Sequence, residues 1–173
     1  MKHILSALFT LAILVPTTAA LADTASGTLT VTGTVASSMN LAISSAGGTF
    51  SGGGTSAGTS ALGTIAKFSS APTGFTMARG ASNWTLSSTV GVQVDKANLT
   101  SADYALTAQL GAPPASGIAW KLNGSTLSDT AATTLDPTAP YATPGSYSWD
   151  IVVADSAAAA AIDNTINFIA TSN

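Results

Sequence analysis

Short runs of two-residue alternation recur along this chain, and they constrain its fold more than any other feature. Side chains at period two stand on opposite faces of a strand and on no common face of a helix. The most regular run is Thr28-Leu29-Thr30-Val31-Thr32-Gly33-Thr34-Val35. It puts Leu29, Val31, Gly33 and Val35 on one face and threonines on the other, which predicts a β-strand over 28–35. Met39, Leu41 and Ile43 repeat the pattern. Further strands are predicted over 61–68, 75–78, 83–87, 90–94, 104–110, 118–122, 147–153 and 165–171, the last two rich in aromatic and β-branched residues.

Turn chemistry separates these runs. Asn123-Gly124 is a two-residue hairpin signal, so 125–127 is expected to pair back onto 118–122. Residues 44–60 carry Gly47-Gly48 and Gly52-Gly53-Gly54 among serines and threonines, with Phe50 the one large side chain. That composition predicts a flexible loop or a loose edge hairpin. Pro72 and Gly74 mark a turn, 95–103 reads as a polar connection, and the stretch holding Pro137, Pro140 and Pro144 reads as a loop. The alanine run 157–161 is too short for an independent helix and is expected to form a turn or loop. Many short strands with turns between them predict an all-β fold, an immunoglobulin-like antiparallel β-sandwich with Greek-key connections.

Ahead of the strands, Lys2, the apolar run 4–15, Pro16 and the Ala20-Leu21-Ala22 triplet have the order of a secretory signal peptide. The run falls well short of the roughly 20 residues that a spanning helix needs. Cleavage after Ala22 is expected, leaving 23–173 as a single domain with no membrane span, located in the periplasm, at the cell surface or outside the cell. The chain has no cysteine, so no disulfide reinforces that domain.

The charge balance narrows the partners. Residues 23–173 hold four cations, Lys67, Arg79, Lys96 and Lys121, against eight aspartates and no glutamate. A nucleic-acid partner is not expected, because phosphate neutralisation requires a basic face. The one histidine, His3, lies in the signal region. Without His, Cys or Glu, triads of the Ser-His-Asp or Cys-His kind and imidazole or thiolate metal sites are excluded from 23–173. No catalytic, cofactor-binding or metal-binding residue is assigned, and no enzymatic activity is expected. Asp95, Asn98, Ser101 and Asp103 are the nearest approach to a calcium cluster, but their spacing matches no defined loop and reads as a solvated connection. Trp84, Trp120, Trp149, Tyr104 and Tyr147 are expected in the core, the alternative being an exposed ligand platform.

The segment from Gly27 to Val35 resembles the N-terminal segment of chaperone-usher fimbrial subunits. In that family an alternating donor strand completes the incomplete immunoglobulin-like sandwich of the next subunit, with glycine at a tight inward position. The resemblance implies that Leu29, Val31 and Val35 are inserted side chains and that Gly33 matches the glycine. Pro144-Gly145-Ser146-Tyr147 is similar to the end of fimbrial and spore-coat-U-type secreted sandwiches, and Asn83-Trp84-Thr85-Leu86 resembles the first motif of cell-wall-binding WxL domains. The implied function is a secreted structural subunit, pilin-like or coat-like, associating with itself or with other surface subunits. The alternative is a monomeric adhesin or carbohydrate-binding module.

Overall fold

The computed structural model describes residues 28–159 and 161–173, so the predicted signal sequence, residues 1–22, lies outside the described residues. The chain divides into two units, Met1–Thr34 and Val35–Asn173. All the strands belong to the second: β1 (Ser38–Ser45), β2 (Thr49–Ser51), β3 (Thr59–Ala61), β4 (Thr76–Arg79), β5 (Asn83–Ala97), β6 (Asp103–Leu110), β7 (Ile118–Leu122), β8 (Ser125–Thr126), β9 (Thr133–Pro140), β10 (Gly145–Ala154) and β11 (Ile166–Ser172). Every strand pairing is antiparallel and no helix occurs among the described residues.

The larger sheet runs β1-β5-β10-β7-β8, with β4 also on β5. β10 takes one side of β5, so β1, along Gly91–Ala97, and β4, along Trp84–Ser87, share the other. The smaller sheet runs β11-β6-β9, and β2 and β3 form a separate hairpin. Alternation does the sorting. In β6 Tyr104, Leu106, Ala108 and Leu110 are buried while the residues between them are half-buried. They pack in one cluster with Leu86, Val92 and Val94 of β5, Tyr147, Trp149 and Ile151 of β10, and Trp120 and Leu122 of β7. Burying each large apolar side chain contributes about 1.5–3 kcal/mol, so this shared layer holds the two sheets together in a sandwich-like arrangement.

Several sequence expectations are met in place. β1, β4, β6, β7, β10 and β11 stand where alternation puts them. The Asn123-Gly124 turn has φ of 48° and 76°, the left-handed pair that a tight hairpin between β7 and β8 requires. The glycine-rich stretch contains the edge hairpin β2–β3.

Four expectations are corrected. Residues 28–35 form no strand; the first strand begins at Ser38. Residues 62–68 form turns and irregular backbone, because no neighbouring strand pairs with them. The two strands predicted over 83–87 and 90–94 are one strand of 15 residues. Ser88 keeps the parity of Leu86 and Val90, and its hydroxyl donates to the Gly74 carbonyl at 2.6 Å, so a half-buried polar residue on that face does not interrupt the ladder. The proline-rich loop contains β9, whose position at the sheet edge tolerates Pro137 and Pro140 because an edge strand needs only half its ladder donors.

Candidate assembly surface

Residues 28–37 have no regular secondary structure and every one is exposed. Leu29 is 89 %, Val31 83 % and Val35 81 % exposed, the largest such values among aliphatic side chains in the described residues. A Cβ at Gly33 would meet nothing within 4 Å. Alternation gives this segment the capacity to be a strand, but a strand satisfies its backbone only against a neighbour, and among the described residues no strand pairs with it.

The sheets end in edges of different character. β8 has two residues and offers almost no ladder. The edge of β1 is partly covered, since Ile43 and Thr55 form a bridge in which the Ile43 N–H donates to the Thr55 carbonyl at 2.8 Å. β9 carries Asp136, Pro137 and Pro140, and its pairing with β6 is irregular. Proline and charge are the usual guards against edge-to-edge pairing. β11 carries neither. Its seven residues, Ile-Asn-Phe-Ile-Ala-Thr-Ser, pair regularly with β6 on one side and, among the described residues, with no strand on the other.

Beside β11 lies a cleft of about 770 Å³. Val90, Trp120 and Trp149 contribute to its lining from the large sheet, Ile43 from β1, and Ile166 and Phe168 from β11, while Phe50 and residues 58–65 border it. Ile166 and Phe168 are only half-buried, unlike their neighbours Leu110 and Ala108 on β6. The layer between the sheets is therefore incomplete on this side.

The aromatic residues belong to the core. Trp84, Trp120 and Trp149 are 7 %, 5 % and 6 % exposed. Trp149 stacks on Trp120 at 6.2 Å between centroids and takes the edge of Phe75 at 5.1 Å. Its Nε1 is, among the described residues, the one buried side-chain polar atom without a hydrogen-bond partner. Burial raises the Tyr104 hydroxyl above its ordinary value, with Asp136, Tyr141 and Asp95 adding, and pushes Tyr147 up to about 12, with Tyr104 and Asp136 adding.

The polar candidates do not converge. Asp95 accepts from Gln93 Nε2 at 2.9 Å, Asp103 from Asn173 Nδ2, Asn98 donates to the Ala36 carbonyl at 3.3 Å, and Ser101 donates to the Asp103 carbonyl at 2.9 Å. Each group is turned to a different partner. Among the described residues no three His, Cys, Asp or Glu side chains gather as metal ligands.

The sequence pattern singled out 28–35 by its alternation, as a strand, but not the open edge or the cleft. The signal for the edge was present: 166–172 is a β-rich run with no charge and no proline, but only its position in the sheet shows that one side is unpaired. No family model, no curated protein and no solved structure matches the chain.

Proposed function

We propose that this protein is a secreted or cell-surface structural subunit, pilin-like or coat-like and without catalytic role. In this reading the two-sheet body is an immunoglobulin-like sandwich with Greek-key connections that lacks a closing strand. Residues 28–35 of a neighbouring copy supply one by adding along the free side of β11. Main-chain hydrogen bonds carry such an addition, and alternate side chains entering pockets give it specificity. The observation that supports it is the combination of Leu29, Val31 and Val35, 81–89 % exposed in an alternating segment, with an uncharged, proline-free edge beside a cleft that Ile166 and Phe168 help to line.

The experiment is light scattering on residues 23–173 with and without 23–36. Assemblies that disappear on truncation are expected. A folded monomer at both lengths would instead favour the monomeric adhesin or carbohydrate-binding module. That alternative has the cleft in its favour, but the three tryptophans expected to form a sugar platform are buried.

A further inference from the structure

We propose that Phe68 docks in the cleft beside β11 of a second copy of this chain, and that two copies exchange this contact reciprocally. Phe68 is 87 % exposed, yet the turn that carries it is tied down on all sides. The Ser69 N–H donates to the Ala66 carbonyl at 3.0 Å, and the Ala66 N–H to Ser69 Oγ at 3.1 Å. Arg79 donates through Nε to the Lys67 carbonyl and through Nη2 to the Ser69 carbonyl at 2.7 Å. Lys67 Nζ donates to the Gly80 carbonyl at 2.9 Å and reaches the Asp155 carboxylate at 2.7 Å. Two of the four cations in 23–173 thus serve a single turn whose one large apolar side chain is Phe68. An aromatic ring held out on an ordered turn loses little freedom on docking, which is the character of an interface anchor.

Three features select a second copy as the partner. The cleft, about 770 Å³ with Trp120, Trp149, Ile166 and Phe168 among apolar and polar lining residues, lies on the same molecule as the apolar knob. Ile65 borders that cleft, and Phe68 follows three residues later, at most about 11 Å away along the chain. So short a span allows knob and hole to lie side by side, an arrangement that two copies can satisfy reciprocally in a closed two-fold pair. Charge agrees: Lys67 of the turn and Arg79 of β4 stand against the one carboxylate of Asp155, whereas Asp163, in the cleft lining, is exposed and has no hydrogen-bond or ion-pair partner among the described residues.

The contact uses no residue of 28–35, so it stands apart from strand addition. If the reading above holds, a cleft filled by Phe68 is closed to an incoming strand, and the reciprocal pair is the form of the subunit before assembly.

The test is sedimentation equilibrium of residues 23–173 as wild type, Phe68→Asp, Phe68→Ser and Val31→Asp, with circular dichroism confirming the fold, as is expected for substitutions at exposed positions. Both Phe68 variants are expected to raise the dimer dissociation constant at least tenfold, and Val31→Asp to leave the dimer intact while removing larger assemblies. Phe68→p-benzoylphenylalanine should cross-link to 58–65 or 162–168 of a second chain. Unchanged association in both Phe68 variants, a wild type that is monomeric at all concentrations, or cross-links mapping elsewhere would overturn the proposal. Loss of all association in Val31→Asp alone would overturn it too, and would leave strand addition standing.

Discussion

β9 and β11 flank the same central strand, β6, and each has one free side, yet they are protected very differently. β9 interrupts its ladder with Pro137 and Pro140, and Asp136 accepts the Thr138 N–H at 3.0 Å, bending the backbone away from regular pairing. β11 keeps a regular register through Ile166–Ser172 and shows Ile169, 50 % exposed, on its outer face. A chain that guards one edge of a three-stranded sheet and leaves the other open, next to a cleft, has the asymmetry that one-sided strand addition needs. The contrast also explains why the cleft lies where it does. The β9 side buries Ala139, whereas Ile166 and Phe168 on the β11 side are only half-buried.

The largest effect is expected where both edges depend on one residue. Leu106 is fully buried at the centre of β6. Leu106→Ala should lower stability by about 2–5 kcal/mol, measured by urea unfolding, and a much smaller loss would mean that β6 is not the common support of the two edges.

Next comes the open edge itself. Ile169→Lys puts a charge on β11 while removing little buried area, so stability should shift by no more than about 0.5 kcal/mol. Assembly by light scattering should weaken at least tenfold if β11 is the acceptor edge. The mirror experiment, Asp136→Ala with Pro137→Thr, strips the guard from β9 and should increase assembly. No change in either variant would erase the distinction between the two edges.

The smallest effect concerns Tyr147, buried in the shared core near Asp136 of β9. Its hydroxyl, pushed up to about 12 from an ordinary 10.0 chiefly by burial, stays protonated in the folded chain where the unfolded chain has begun to lose its proton. Stability should therefore be insensitive to this group below pH 10 and decline between pH 10 and 12. Tyr147→Phe should flatten that decline in denaturant midpoints, and an unaltered slope would assign it to other groups.

Much of the strand set was legible because period-two alternation is a local signal. β6 shows it without interruption, and the Asn123-Gly124 turn shows the chemistry of its own backbone angles. β5 was half legible: parity through Ser88 was readable, but the polar residue looked like a break until its hydroxyl was seen to reach Gly74. β9 was not legible, because proline argues against a strand unless the strand is known to lie at an edge. Residues 62–68 erred the other way, with apolar alternation and no neighbour to pair with. In the candidate site, Leu29, Val31, Gly33 and Val35 were readable as an alternating face, whereas the cleft, the open side of β11 and the clamp on Phe68 join residues far apart in the chain.

The sequence by itself determined the all-β character, the parity of the inward faces and the chemistry that is missing, because these depend on side-chain type and on spacing within a few residues. Only the tertiary structure decided which strands are edges, which edge is guarded, and that 28–35 pairs with no strand among the described residues. The physical reason is that a backbone hydrogen bond in a sheet is made to another strand, and which strand that is depends on the whole chain's packing and not on the segment's own residues.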